Sequence, residues 1–361
     1  MFELDKLLRN NIRNLKPYSS ARDEFKGEAE IFLDANENAF GSPSAPPSVF
    51  AQDRLGMTPA LNRYPDPMQV EVKEALSQIK GVPAGNIFLG NGSDEVIDLL
   101  YRAFCNPGVD NVILVPPTYG MYEVSANIND VEVRKVPLTT EFQLNVEAIS
   151  EAVDEKTKLI FICSPNNPTG NSMDREDVEV ILNNFNGLVV VDEAYINYSR
   201  QHSFISELTE YPNLVVMQTL SKAWGMAGAR IGMAFASDDI IGVLNKIKPP
   251  YNVGSPAQQL ALEALNNIEL VNEWIRTTVQ ERGKLIAALG KIPFVKKIYP
   301  SDANFLLVKV DDAKGVYDYL VSGGIIVRDR SKVELCEGCL RITVGTPEEN
   351  ARLVETLTAY K

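Results

Sequence analysis

From residue 68 onward the chain alternates short apolar runs with longer segments in which apolar residues recur at helical spacing. Residues 68–80 place Val70, Val72, Ala75, Leu76 and Ile79 on such a pattern, which predicts a helix. Ile87–Leu89 predicts a short strand, Gly90–Asp94 a turn, and Glu95–Cys105 a helix. Asn111–Val115 and Leu159–Cys163 predict strands stopped by Pro116 and Pro165, and Leu188–Val191, Leu214–Met217 and Ile231–Ala236 predict three more. Several of these runs are apolar throughout instead of alternating. Strands of that kind are buried on both faces, as in a mostly parallel sheet flanked by helices, so the pattern predicts an α/β fold.

The remainder predicts a smaller α+β unit. Ala257–Leu289 reads as one long helical segment, with Leu260, Ala264, Ile268, Val271 and Ile275 at near-helical spacing. After it come expected strands at Phe305–Val310, Ile325–Val327 and Leu340–Val344, a helix at Gly315–Val321, and a last helix from Pro347. The expected division is an arm with part of the small domain over residues 1–40, a large domain over 41–260 and a small domain over 261–361, with residues 41–48 a Pro/Ser-rich connector.

Composition removes several function classes. A net charge of −13, with lysines and arginines dispersed, argues against a nucleic-acid partner. The first ten residues lack the apolar core of a secretory signal and no long uncharged apolar stretch follows, so a cytoplasmic protein without a membrane span is expected. Four cysteines in 361 residues are expected to be reduced thiols. Cys336 and Cys339 form a C-x-x-C, which alone suggests redox chemistry or half a zinc site, but no second ligand pair accompanies it, so it reads as incidental and no metal is expected. The single histidine, His202, lies in a polar loop and is given no role, which leaves His-based catalysis unsupported.

In α/β sheets ligands gather beyond the carboxyl ends of the strands, so the polar residues following each run carry the functional signal. After Ile87–Leu89, Ser93 and Asp94 can cap a helix whose free N–H groups form an anion site, although a plain capped helix would look the same. After Leu159–Cys163 comes SPNNPTG at 164–170, in which prolines fix the backbone around Asn166 and Asn167. After Leu188–Val191 come Asp192 and Tyr195. An acid at a buried strand end needs a cationic partner, either a neighbouring side chain or a protonated ring nitrogen of a ligand. After Leu214–Met217 comes Lys222 among small and apolar residues, with Ser221 and Arg230 beside it. Desolvation there favours a neutral, nucleophilic amine, whereas a lysine in isolation is more often a surface charge. In this order the four groups fit one ligand, an anionic ring-containing cofactor joined to a lysine.

These motifs resemble the fold-type I aminotransferases, over essentially the whole chain. Within that superfamily the chain is most similar to the histidinol-phosphate aminotransferase family, through residues 15–22 (LKPYSSAR), 33–38 (LDANEN), 62–66 (NRYPD), 325–330 (IIVRDR) and 338–346 (GCLRITVGT). The resemblance implies pyridoxal 5′-phosphate as cofactor, linked to Lys222 as a Schiff base. Asp192 would pair with the ring nitrogen, Tyr195 and Asn167 with the ring hydroxyl oxygen, and Tyr119 would stack on the ring. Ser93, Asp94, Ser221 and Arg230 would hold the cofactor phosphate, with Glu95 also on the cofactor side and Tyr64 reaching in from a second subunit. Arg341 would meet the substrate carboxylate. Arg328 and Tyr18 would meet the substrate phosphate, Tyr18 again in trans, with Asn38 also among the substrate-binding residues. Active sites shared in this way imply a homodimer.

The implied reaction exchanges the amine of L-histidinol phosphate with 2-oxoglutarate, giving imidazole-acetol phosphate and L-glutamate, a step of histidine biosynthesis. Histidinol phosphate has no α-carboxylate, so its phosphate would use cations that the carboxylates of glutamate otherwise occupy. Two readings share the cofactor site and differ in the substrate pocket, an aromatic amino-acid aminotransferase and a phospho-threonine decarboxylase-like enzyme. A third, a cofactor-binding regulatory module without turnover, would need a DNA-binding domain for which these 361 residues leave no stretch.

Overall fold

The computed structural model describes residues 2–17, 35, 36, 38 and 61–360. Tyr18, the 41–48 connector and most of residues 33–37 lie outside them.

A seven-stranded sheet carries the larger part of the molecule. Its strands in chain order are β1 (Ile87–Asn91), β2 (Asn111–Leu114), β3 (Glu132–Lys135), β4 (Thr157–Cys163), β5 (Leu188–Asp192), β6 (Leu214–Thr219) and β7 (Ile231–Phe235). In space they run β1-β7-β6-β5-β4-β2-β3, and every pairing is parallel except the two made by β7. The central strands send alternate residues into two separate cores. Ile160, Ile162, Val189, Val191 and Val216 enter one, and Leu159, Phe161, Leu188, Val190 and Val215 the other. Each of these side chains is worth about 1.5–3 kcal/mol when taken fully out of water. A strand buried on both faces therefore tolerates no polar position until its end, and that is why the runs were apolar throughout.

A second sheet, β10-β11-β9-β8, is antiparallel and is formed by β8 (Val295–Ile298), β9 (Phe305–Val310), β10 (Arg328–Asp329) and β11 (Cys339–Thr343). Its Leu306, Val308, Leu340 and Ile342 pack with the helices Ala313–Ser322 and Pro347–Ala359. Phe305 and Leu307, on the opposite face, join the core of the larger sheet.

Several expected boundaries shift. The 257–289 segment is two helices, Ser255–Asn266 and Ile268–Leu289, broken at Asn267. Residues 325–327 are not a strand, and pairing with β11 begins at Arg328. Residues 90 and 91 continue β1, because Gly90 and Asn91 pair with Gly232 and Ile231 of β7. Ser93 does not cap the next helix; it is the first helical residue, and Gly92 is the N-cap. The strands β3 and β8 carried no readable signal. Both are sheet edges, and their sequences, EVRK and VKKI, are charged as exposed edges tend to be.

Candidate active site

The strands β4, β5 and β6 end side by side at Cys163, Asp192 and Thr219, and all three residues line one cleft of about 600 Å³. Of the residues singled out in the sequence, Ser93, Asp94, Tyr119, Asn167, Asp192, Tyr195, Ser221, Lys222, Arg230, Arg328 and Arg341 line it as well. They come from the ends of five strands, β1, β2, β4, β5 and β6, or the segments that follow them, and from the second sheet, so only the fold brings them together.

Asp192 closes the floor. It is 4% exposed, and its carboxylate accepts the Tyr122 hydroxyl at 2.6 Å and the Ala194 backbone N–H at 3.0 Å. Among the described residues no lysine or arginine forms an ion pair with it. Burial pushes its carboxyl above the usual carboxylate range, against the pull of the Tyr122 hydroxyl. Tyr122 is fully buried in the Met121–Ile128 helix, with its ring stacked on Phe161 at 4.9 Å and edge-on to Tyr119 at 5.4 Å. The Met121–Ile128 segment gave no sign in the sequence that its one tyrosine would reach Asp192.

Lys222 follows β6, with its Nζ 5.6 Å from the centre of the Tyr195 ring. Burial, and then the Arg341 guanidinium, hold its amine below the ordinary lysine value, while Asp192 acts in the opposite sense. The low-proton-affinity amine expected from its apolar surroundings is therefore present. Tyr195 packs edge-on against Phe305 at 5.1 Å, and burial pushes its hydroxyl up.

At the opposite end a glycine turn packs against Arg230 in a cradle of polar groups. Gly92, at φ +76°, turns the chain from β1 into the Ser93–Phe104 helix, and a Cβ there would stand 2.5 Å from a terminal nitrogen of Arg230. Arg230 itself holds φ +55°, a left-handed conformation that costs a non-glycine residue about 1–3 kcal/mol and recurs at functional sites. Its guanidinium donates to Ser221 Oγ at 3.4 Å and lies 3.5 Å from Asp94, which also accepts the Tyr119 hydroxyl at 3.1 Å. Gly232 on β7 lets this turn sit close, since any Cβ there would overlap the backbone of Gly92 and Ser93.

At the mouth Arg341 donates to Asn167 Oδ1 at 2.5 Å and lies 5.3 Å from the Phe305 ring centre. Asn166, by contrast, is committed to the loop, donating to Pro117 O and Thr169 Oγ1, each at 2.8 Å. Glu95 does not line the cleft. It accepts the Asn91 backbone N–H at 2.5 Å and the Asn252 amide at 2.9 Å, so it fixes the turn from behind. Tyr64 and Asn38 are exposed and apart from the lining, Tyr64 stacked on Tyr251 at 4.4 Å. Arg330 lines the cleft without having been singled out. Cys336 and Cys339 are buried free thiols, pushed by burial up to about 12 and about 11, and His202 is exposed in its loop.

A buried carboxylate without a charged partner, a lysine of lowered proton affinity facing the same cleft, and a glycine-lined cradle holding an arginine and a serine fit a cofactor with a protonated ring nitrogen, a carbonyl and a phosphate. The sequence model of the family described as "Aminotransferase class I and II" matches residues 29–357, and the chain belongs to that family. Within it the chain is 56% identical to the histidinol-phosphate aminotransferase of Cytophaga hutchinsonii over 99% of both chains, and 54% identical to that of Parabacteroides distasonis over the whole of both. Its fold is similar to that of the histidinol-phosphate aminotransferase from Sinorhizobium meliloti solved with pyridoxal-5′-phosphate, with a TM-score of 0.75 and 25% identity over 90% of this chain and 89% of that one. No helix among the described residues is long and apolar enough to cross a membrane.

Proposed function

We propose that the protein is a pyridoxal-phosphate-dependent aminotransferase that exchanges the amine of L-histidinol phosphate with 2-oxoglutarate, acting in histidine biosynthesis. The observation that carries the reading is the buried Asp192 beneath a cleft that also holds Lys222 and a row of arginines.

When bound, the cofactor supplies a conjugated ring that accepts the electrons of the substrate bond being broken. Asp192, whose ionised form accepts from Tyr122 and Ala194, would pair with the ring nitrogen and keep it protonated. Arg230, Ser221 and the first turn of the Ser93–Phe104 helix hold the phosphate. Tyr195 and Asn167 orient the ring hydroxyl. Tyr119, in the opposite wall, covers the ring. Lys222, with its Nζ free in the cleft, would be the base that takes the proton from the substrate Cα and the acid that gives it back. Its lowered proton affinity keeps that amine unprotonated at a lower pH than an exposed lysine would allow. Arg341 orients the α-carboxylate of glutamate, and Arg328 the substrate phosphate.

The remaining assignments follow from the same reading. Tyr64 and Asn38 stand outside the cleft of one chain, which suits completion of the site by a second copy in a homodimer, with Tyr18 reaching the substrate phosphate and Tyr64 the cofactor phosphate. The site takes small anionic substrates and no nucleic acid, and a cytoplasmic location suits such a biosynthetic role. The large domain would be residues 41–260 and the small domain 261–361.

The test is the visible absorbance of purified, cofactor-loaded protein during addition of L-histidinol phosphate, with Lys222→Ala as control. Loss of the lysine-linked band, its return with 2-oxoglutarate, and its absence in the control are expected. A band that ignores histidinol phosphate but answers glutamate or phenylalanine overturns the substrate. No band at all overturns the enzyme.

A further inference from the structure

We infer that Arg330 is a third anion-binding residue of the substrate pocket, and that it gives the site its preference for a doubly charged phosphate over a carboxylate. This rests on the reading of the cleft as an aminotransferase site.

The antiparallel ladder between β10 and β11 pairs Arg328 directly with Arg341. One residue further the ladder continues, with the Arg330 backbone N–H donating to Cys339 O at 2.9 Å. Side chains alternate faces along a strand, so Arg328, Arg330 and Arg341 share one face, while Asp329 falls on the other. All three arginines line the cleft. Like charges opposed across a ladder destabilise it, and among the described residues no carboxylate forms an ion pair with any of them.

The three are not equivalent. Arg341 is already committed to Asn167 Oδ1, and Arg328 is largely exposed. Arg330 is half-buried, and its Nε is enclosed with no hydrogen-bond partner among the described residues. A shielded N–H without an acceptor is costly, and here it belongs to a guanidinium on the wall of a cleft. Burial, and then Arg328, push that guanidinium down, as expected of a cation waiting for an anion. A phosphate dianion offers two negative charges and enough oxygens for two forked donors at once, whereas a carboxylate satisfies one fork. Arg328 and Arg330 together thus match the phosphate, and either alone suffices for the distal carboxylate of glutamate.

The test uses the loaded enzyme and its Arg330→Gln and Arg330→Lys variants in the amine-donating half-reaction, read by absorbance, with L-histidinol phosphate, L-histidinol and L-glutamate. For Arg330→Gln the KM for histidinol phosphate should rise about ten- to a hundredfold, as for loss of a charge-assisted hydrogen bond. That rise should exceed the one for histidinol by at least about tenfold, should fall mainly on KM and not on kcat, and should be partly reversed in Arg330→Lys. Equal effects on histidinol and histidinol phosphate would show a residue that only supports the fold, and would overturn the inference. Inorganic phosphate, as a competitor against glutamate, gives a readout independent of the natural substrate. Competition present in the parent enzyme and weakened in Arg330→Gln supports the inference even if histidinol phosphate proves not to be the donor; unchanged competition overturns it.

Discussion

Removing the hydroxyl of Tyr122 tests a contact to Asp192 that no sequence motif announced. Tyr122→Phe keeps the ring, its stack on Phe161 and its edge contact with Tyr119, and deletes the hydroxyl that donates to Asp192 at 2.6 Å and also meets the buried Cys163 thiol. A hydrogen bond to a buried charge contributes about 1.5–3 kcal/mol, or roughly one to two factors of ten in an equilibrium constant. How much of this reaches cofactor binding depends on pH. Asp192 must be ionised to hold a protonated ring nitrogen, but in the cofactor-free protein burial already raises its pKa, and without Tyr122 the carboxyl should rise further. Below that pKa the cofactor binds only after Asp192 gives up its proton, so affinity falls as pH falls. The fall should begin at higher pH in the variant. Well above both pKa values Asp192 is ionised before and after binding, the lost hydrogen bond cancels, and the two proteins should bind equally. The assay is titration of cofactor-free protein with pyridoxal phosphate across pH, read by the visible band of the Lys222-linked form. Lys222 feels the charge on Asp192, so its contribution divides out of the ratio of dissociation constants only where Asp192 is ionised in both proteins, and that range sets the baseline. The ratio should grow to about ten- to a hundredfold at the acid end and close towards one as pH rises. A ratio that is near one throughout, or the same at every pH, would refute the role given to Tyr122.

Other perturbations follow from the same geometry. Asp192→Asn should lower kcat about a hundred- to a thousandfold, as for loss of one preorganised electrostatic group, measured in steady state. Yet the cofactor-free variant should melt higher than its parent at neutral pH. A carboxyl raised on folding contributes stability that is full below its unfolded pKa and is lost as pH climbs through the folded one, and the amide has nothing to lose. Gly92→Ala should destabilise the protein by about 1–3 kcal/mol through the positive φ alone. It should also weaken pyridoxal phosphate more than pyridoxal, because its Cβ displaces Arg230; equal weakening of both would argue against the cradle. Arg341→Gln should raise the KM for glutamate far more than that for histidinol, measured in the half-reaction, since only glutamate offers an α-carboxylate.

Tyr122 and Arg330 show where sequence reading stops. Asp192, Lys222 and the SPNNPTG loop were legible because each interrupts an apolar strand at its carboxyl end, where a polar residue needs a reason. Tyr122 gave no such interruption. It sits inside an apolar helix 70 residues from its partner, and only the parallel order of β2, β4 and β5 brings the two together. Arg330 was hidden differently, in a charged stretch that reads as surface until the register of β10 against β11 turns it to the face of Arg341. The edge strands β3 and β8 and the break at Asn267 escaped for a third reason. Edges are exposed and carry no burial pattern, and the break lies between two segments whose apolar spacing stays nearly in phase.

The site itself follows from that division. The large sheet fixes Asp192, Lys222 and the anion cradle on strand ends buried on both faces, where a shift of one residue would exchange the two cores. The substrate arginines come from a separate, antiparallel sheet whose β10 is only two residues long. Asp192 and Lys222 thus stand at or just beyond strand ends of the large sheet, and Arg328, Arg330 and Arg341 on or beside a short ladder of the second one. A change of residue at 328 or 330 leaves the hydrogen bonds of Asp192 in place, whereas a change at 341 also removes the guanidinium that holds the Lys222 amine down.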